Sequence, residues 1–210
     1  MWKSGFSADP LRLLVPISKS DIARLNKAKA ALRRAENADH ASSGLREARK
    51  LLEPLVEKNI AEAQYLAASF TLAGEFGPDS AAEEWRYNLL HKAAESGYAP
   101  AQFALGQAYD RGGDLACDIE KSAYWFSLSA AQAYPHGQWV HGCNLLGGSG
   151  LPKDEALGIM FIRKAAENKF EGALHFMADA HKEGKFGFPK DPRLSVFWRE
   201  KLQDDDVIAY

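Results

Sequence analysis

The 210-residue sequence lacks the features that mark disulfide-built, membrane-spanning or exported proteins. It contains two cysteines, which are too few for a fold held together by disulfides. No apolar run approaches the roughly 20 residues that a helix needs to cross a bilayer. The apolar patch of residues 11–17 is interrupted by Pro16 and is too short for the core of a secretion signal. These absences predict a cytoplasmic protein without a membrane span.

The residue patterns of catalytic and metal sites are missing as well. No two of the six histidines lie four residues apart, and Cys117 and Cys143 do not have the spacing of a zinc or redox site. The stretch LLGGSGLPKD, residues 145–154, lacks the Gly-Lys-Ser/Thr ending of a phosphate-binding loop and is interpreted as a loop between helices. We therefore predict a protein that is not an enzyme, with no catalytic residue, no metal and no cofactor.

The cysteines and histidines then need structural explanations. Cys143 is interpreted as a small buried apolar residue and Cys117 as an exposed thiol in a loop. The histidines are interpreted as surface or groove residues. They are His40, His91, His136, His141, His175 and His181.

The charge balance also limits the classes of partner that the sequence predicts. The formal net charge is −2, so no overall charge attracts nucleic acid or an anionic membrane. Residues 1–60 carry a net charge of +5 and the rest of the chain carries −7. This asymmetry predicts an elongated molecule with two differently charged ends.

An internal repeat is the clearest feature that the sequence does have. The alanine pair at residues 93–94 has counterparts at residues 130–131 and 165–166, at steps of 37 and 35 residues. Weaker copies lie at residues 55–56 and at Leu202. The segment GLPKD at residues 150–154 returns as GFPKD at residues 187–191. Agreement at so many positions predicts an array of similar units.

Each period holds two helices, because small and apolar residues recur at helical spacing. The first helix starts near residues 61, 99, 136 and 170 and ends at a glycine, which suits the left-handed conformation that closes helices. These glycines are Gly74, Gly112, Gly148 and Gly184. The second helix starts behind a capping residue. The capping candidates are Ser80 with Glu83, Asp118, Asp154, and Asp191 followed by Pro192.

The segment AQFALGQAYDRGG, residues 101–113, resembles the first half of the Sel-one-like repeat, a branch of the tetratricopeptide superfamily. Five of its residues match the family pattern A-x-x-L-G-x-x-Y-x-x-G. They are Ala101, Leu105, Gly106, Tyr109 and Gly112. Small residues at the Gly106 position let two helices cross closely, and Ala68, Cys143 and Ala178 are taken as its counterparts.

The resemblance implies an all-α fold, a right-handed α-solenoid of about five antiparallel helix hairpins and ten helices. We expect an N-terminal extension over residues 1–20, a capping helix pair over 21–60, the repeats over 61–203 and a tail over 204–210. In the capping pair, one helix spans about residues 21–37 and another about 44–58, where Pro54 should kink or shorten it.

The first helix of each pair lines the concave side of such solenoids, which bind other proteins there. By this resemblance, we expect the outward residues of those helices to contact a polypeptide partner. They are Tyr65, Ser69, Phe103, Gln107, Asp110, Arg111, Val140, Asn144, His175, Asp179 and Lys182. Aromatic, amide and charged groups side by side suit a polypeptide better than a metabolite.

The predicted function is that of a non-enzymatic bacterial adaptor or scaffold, monomeric, with a protein or peptide as its partner. One alternative is an immunity protein that neutralises a cognate toxin. Another is a small-ligand sensor or an enzyme that uses the groove, which would require a pocket with convergent polar groups. The last segment, QDDDVIAY, is interpreted as a frayed tail. The alternative is an apolar tip that folds back onto the last helix pair or docks on another molecule.

Overall fold

The structure, a computed structural model, describes residues 17–35, 41–69, 79–112 and 115–209, except for the side chains of residues 41–42 and 79–83. These residues form ten α-helices. They are α1 Lys19–Ala35, α2 Ala41–Glu57, α3 Ala61–Ser69, α4 Asp79–Glu95, α5 Ala99–Arg111, α6 Ile119–Ala131, α7 Pro135–Gly147, α8 Glu155–Glu167, α9 Glu171–Glu183 and α10 Pro192–Glu200. A 3₁₀ turn, Lys201–Gln203, follows α10. The predicted all-α helical-repeat class is confirmed.

The chain divides into two compact units. The N-terminal unit comprises residues 1–102 and the C-terminal unit residues 103–210, so the boundary falls within α5. In the N-terminal unit α1 packs on α2 and α3 packs on α4. In the C-terminal unit each of α6, α7, α8 and α9 packs on the helix that follows it. Neighbouring helices in sequence are therefore neighbours in space, as in a repeat array.

The N-terminal unit has a core of leucine and alanine side chains from α1 and α2. Leu25, Leu32 and Leu52 are 4% exposed, and Leu55 is fully buried. The helix α2 continues past Pro54 to Glu57, so this proline does not shorten the helix, and the alternative of a kink stays a prediction. Burial of Leu55 holds the turn after the proline in place, which offsets the hydrogen bond that proline cannot donate.

The turns between successive helix pairs share one backbone conformation. In each, one residue has a positive φ, and the next residue donates its N–H to a carbonyl five positions earlier, which is the Schellman closure of a helix. The positive-φ residues are Asn59, Gly97, Ala133 and Lys169, at 57°, 85°, 60° and 60°. The accepting carbonyls belong to Leu55, Ala93, Ser129 and Ala165. The structural step is therefore 36 residues in the C-terminal unit.

This step corrects the sequence alignment of the alanine pairs. The counterpart of Ala93 is Ser129, not Ala130, and Ala131 is exposed. Ser129 is fully buried, and a Cβ added to Gly137 would lie 2.6 Å from the Ser129 Oγ. The sequence alignment was wrong by one residue because Ser129, Ala130 and Ala131 are all small. The close approach of α7 determines which of them faces inward.

The predicted helix caps of the C-terminal unit are confirmed. The carboxylates of Asp118 and Asp154 accept hydrogen bonds from the N–H groups three residues later, at 3.0 and 2.9 Å, and Asp191 caps α10 in the same way. Gly148 and Gly184 close their helices with φ of 74° and 71°. The predictions for Gly74 and for the side chains of Ser80 and Glu83 lie outside the described residues.

A second register error concerns the small residue of α7. Gly142, not Cys143, stands where Gly106 stands in α5, since a Cβ on Gly142 would lie 2.7 Å from the Ile162 Cγ1. Cys143 is half-buried beside the core, so the expectation of a buried small residue was wrong. Direct contact between α7 and α8 explains why only glycine fits at position 142.

Candidate functional site

The helices α5, α7 and α9 are equivalent first helices of successive pairs in the C-terminal unit. Their exposed and half-buried residues form one side of each helix, which we call the first-helix face. It consists of Gln107, Asp110 and Arg111 on α5, Trp139, Val140, Cys143 and Asn144 on α7, and His175, Asp179 and Lys182 on α9. Eight of the eleven predicted contact residues belong to this face.

Phe103 does not belong to it, which corrects the prediction. Only 8% of the Phe103 side chain is exposed, and its ring lies 5.4 Å from Phe126, 5.7 Å from Tyr134 and 5.4 Å from His136 between ring centroids. The small residue Gly106, one turn further along α5, lets Phe126 approach, and Phe103 fills the remaining space. Phe103 is therefore a packing residue.

Tyr65 and Ser69 lie in the N-terminal unit. Tyr65 is half-buried, and its ring centroid lies 5.4 Å from that of Tyr98. Ser69 is exposed at the end of α3. Both are compatible with a contact role, which stays a prediction.

Sequence reasoning missed Trp139 and Cys143 because of the same one-residue register error. With the 36-residue step, Trp139 is the counterpart of Phe103 and of His175, whereas Val140 had been chosen. Trp139 is half-buried, so part of the indole is available at the surface. The turn at Ala133 was the signal that sets the register, but alanine rarely adopts a positive φ and gives no hint of it in sequence.

An aromatic row links the three first helices. The ring of His136 lies between Phe103, at 5.4 Å, and Phe170, at 5.0 Å. From Phe170 the row continues to Trp139 at 5.9 Å, and Trp139 contacts Phe176 of α9 at 6.1 Å. Such contacts hold α5, α7 and α9 side by side.

The polar residues of α9 are partly engaged with their neighbours. Asp179 pairs with Arg199 of α10 at 3.1 Å, and His175 lies 4.0 Å from Glu171. Both are exposed pairs, which contribute little to stability and break easily when a ligand competes. The Asp179–Arg199 pair is therefore a weak constraint on this edge of α9.

Two histidines contradict the expectation of surface positions. His141 is 8% exposed and His181 is 6% exposed, and both have a buried Nδ1 without a hydrogen-bond partner. Burial lowers the pKa of His141, because an imidazolium cation is disfavoured away from water. The His141 ring lies 4.7 Å from that of Phe161 between centroids. His141 occupies the core position that Leu105 and Met177 occupy in the neighbouring first helices.

The two cysteines differ in their surroundings. Cys117 is exposed, as predicted, and its Sγ donates to the Asp110 carbonyl oxygen at 3.5 Å. Burial raises the pKa of the Cys143 thiol to about 11. A thiol with so high a pKa is almost wholly protonated at neutral pH, so Cys143 is a weak nucleophile.

Two cavities lie in the N-terminal unit. One, about 340 Å³, lies between apolar side chains of α1, α2 and α3, with Trp85 of α4 beside them. The other, about 400 Å³, is lined by the charged residues Arg46, Arg49, Lys50 and Glu53 of α2. Of these, Arg49 and Glu53 pair with each other at 2.8 Å. In the described ranges there is no group of three His, Cys, Asp or Glu side chains placed to hold a metal ion.

The last segment is folded back, which corrects the expectation of a frayed tail. Over residues 204–209 it runs beside the turn between α8 and α9, and Ile208 forms a parallel bridge with Phe170. Val207 and Ile208 pack against the core cluster of the last repeats. Tyr210 lies outside the described residues.

No helix in the described part of the chain combines the length and apolarity that crossing a membrane requires.

Comparison with known proteins agrees with this repeat. The Sel1 repeat family model matches residues 99–134, 135–170 and 172–201. The first two matches have the 36-residue length that the turn geometry shows. Each of these two begins at the start of a first helix, α5 or α7, and the third begins one residue into α9.

Solved structures and a curated relative extend the comparison. A Sel1 repeat protein from Oxalobacter formigenes has a TM-score of 0.68 and 25% identity, over 86% of this chain and 50% of that chain. A protective antigen of uropathogenic Escherichia coli with an SLR fold has a TM-score of 0.68 and 24% identity, over 86% and 37% of the two chains. Chitin synthase regulatory factor 3 of Schizosaccharomyces pombe is 31% identical over 57% of this chain, which spans only 13% of that protein.

Proposed function

Because the chain is a Sel1-like repeat protein, we propose that its C-terminal unit is a non-enzymatic interaction module that binds a polypeptide on the first-helix face. The observation that supports this proposal most directly is that Trp139 stays half-buried on the same face as the amide side chains of Asn144 and Gln107. Aromatic and amide side chains on one surface are typical of protein interfaces.

The rest of the first-helix face fits an extended partner rather than a small molecule. Its side chains come from three separate helices, and its charged members, such as Arg111 and Lys182, are exposed. A small ligand would instead need a concave pocket that encloses most of its surface. The face therefore favours a ligand that makes many separate contacts.

Site-specific photo-crosslinking tests the proposal. A photo-crosslinking amino acid replaces Asn144 on the first-helix face, and a matched variant carries it at Tyr124, which is 46% exposed on the second helix α6. Both proteins are expressed in the source organism, irradiated and purified. We expect one discrete adduct from position 144 that position 124 does not give.

A second variant checks that the adduct reports binding. Gln107→Ala/Asn144→Ala should reduce capture of the same partner at least tenfold, and Met160→Ala, which alters an exposed residue of α8, should leave it unchanged. Circular dichroism confirms that the variants are folded. Adducts formed only from position 124 would move the site to the second helices and overturn the proposal.

The identity of the partner then decides between the narrower roles. We favour a cytoplasmic bacterial adaptor that acts as a monomer, and the name of the fungal relative, a regulatory factor, is consistent with an adaptor. A toxin recovered as the adduct would instead make this chain an immunity protein. A small molecule retained by the purified protein would favour the sensor or enzyme alternative.

A further inference from the structure

The turn between α8 and α9 holds the last segment by main-chain hydrogen bonds. The Ile208 N–H donates to the Lys169 carbonyl oxygen, and the Glu171 N–H donates to the Ile208 carbonyl oxygen, both at 2.9 Å. These two bonds flank Phe170 and form the parallel bridge. The turn thus pairs with the backbone of Ile208 through one parallel bridge. Backbone pairing of this kind is how many domains recognise extended peptides.

Side-chain charge complements this backbone pairing. The Lys169 ammonium pairs with the carboxylates of Asp206 at 2.5 Å and Asp204 at 3.0 Å. These carboxylates raise the pKa of Lys169, and the hydrogen bond from Lys169 lowers that of Asp206. The single ammonium group of Lys169 therefore binds the carboxylates of two acidic residues that are separated by one residue.

Apolar contacts complete the site. Val207, Ile208 and Trp139 pack against the cluster that contains Phe170, and the centroid of the His136 ring lies 5.0 Å from that of Phe170. Val207 and Ile208 are nevertheless only half-buried, and Asp204, Asp205 and Asp206 are exposed. The segment thus lies on the surface of the C-terminal unit and does not form part of its interior.

The preceding turn shows that this site is not a general property of the repeat. Ala133 has the same φ of 60° as Lys169, and Tyr134 stands in place of Phe170. Ala133 has no ammonium group, however, and Pro135 has no N–H where Glu171 donates. The α6–α7 turn therefore lacks both of the groups that hold residues 204–208 on the α8–α9 turn.

We propose a binding site for an extended peptide in which two acidic residues, separated by one residue, precede apolar residues. The site consists of Lys169, Phe170, Glu171 and His136. Residues 204–209 are its internal ligand, and they leave when a segment of a partner protein with this chemistry binds. The site goes beyond the binding proposed for the first-helix face, and its test changes no residue of that face.

The test uses the full chain and a labelled peptide with the sequence of residues 203–209. Ile208→Glu removes the apolar anchor of the internal ligand and should raise the affinity for the peptide at least tenfold over the wild type. Adding Lys169→Glu to that variant should abolish the gain. A peptide with asparagine at the positions of Asp204 and Asp206 is the matched control and should bind at least tenfold more weakly.

Hydrogen exchange in the wild-type chain gives a readout that needs no variant. Saturating peptide should increase exchange of the Ile208 amide, while the Glu171 amide stays protected because the peptide replaces its acceptor. Unchanged exchange at both amides, or a folded Ile208→Glu variant without increased affinity, would overturn the proposal. Light scattering that shows a dimer in the wild type, lost in the Ile208→Glu variant, would assign the site to the tail of a second copy and overturn it as stated.

Discussion

Both compact units have an apolar core and a glycine that lets two helices touch, but they differ in the polar contacts around that core. In the N-terminal unit, ion pairs join its helices and turns: Asp21 accepts from Lys58 at 2.7 Å, and Arg34 pairs with Glu47 at 3.0 Å. In the C-terminal unit, glycines let helices touch, as at Gly142, and carboxylates cap helices at a regular step. Steric contact tolerates no shift in register, whereas charged side chains on flexible stems do.

This comparison explains where the repeat is regular. The turn residues Gly97, Ala133 and Lys169 follow each other at 36 residues, but 38 residues separate Asn59 from Gly97. In the C-terminal unit the close-contact glycines Gly106 and Gly142 recur at this 36-residue step. An insertion between them would move a larger side chain into a helix crossing.

The largest effect is expected from a methyl group in the helix crossing. In Gly142→Ala the new Cβ would lie 2.9 Å from the Gly158 carbonyl oxygen, a backbone atom that cannot move aside. We expect a loss of about 1–3 kcal/mol in the free energy of unfolding. Gly147→Ala is the control in the same helix, since nothing lies within 4 Å of its Cβ. Urea denaturation measures both, and equal stabilities would refute the steric explanation.

A smaller effect is expected from the loss of a helix cap. Asp154→Ala removes the acceptor for the Leu157 N–H and should cost about 1 kcal/mol. Asp154→Asn keeps an acceptor oxygen and should retain most of the stability. Thermal denaturation followed by circular dichroism distinguishes them, and a destabilised Asn variant would show that the charge matters more than the cap.

A smaller and pH-dependent effect is expected at His141. Burial lowers its pKa from the ordinary value of 6.5, so the unfolded chain takes up a proton before the folded chain does. The stability contributed by the neutral imidazole is present above about pH 6.5 and is lost as the pH falls through the unfolded and then the folded pKa. The variant His141→Met has the residue that α9 carries at the equivalent position, Met177. Its free energy of unfolding should therefore rise relative to that of the wild type as the pH falls from 7.5 to 5.5. Parallel stability curves would contradict this.

The smallest effect is expected in the N-terminal unit. Hydrogen bonds from Lys58 and Ser18 lower the pKa of Asp21 from 3.8, so the stability it contributes is present at neutral pH and is lost as the pH falls below about 3.8. Asp21→Asn should lose stability at pH 7, and 1 M NaCl should reduce the difference from the wild type. Gly142→Ala should show the same loss at both salt concentrations. A salt-independent effect at Asp21 would remove the proposed contrast between the units.

Sequence reasoning succeeded where a property belongs to a single segment of chain. Asp118, Asp154 and Asp191 cap helices because a carboxylate satisfies N–H groups two or three residues away, and Gly148 and Gly184 end helices because glycine adopts a positive φ easily. The all-α class and the number of helices follow from such local signals. None of them requires knowledge of a distant residue.

It failed where two segments must meet. Phe103 has the spacing of an outward residue, and His141 has the polarity of a surface residue. Both are buried because small residues on nearby turns let the helices close over them. In α7, adjacent small residues made two registers equally plausible in sequence. The folded-back tail also required its partner, the Lys169 turn, before its position could be known.

The sequence by itself determined the helices, their caps and the kind of repeat, because hydrogen bonds within one turn and the apolar period of a helix are local. Only the tertiary structure decided which small residue faces its neighbour, which aromatic ring is exposed, and where residues 204–209 lie. Those outcomes depend on contacts of a few ångströms between segments far apart in the chain, and a shift of one residue in register changes every one of them.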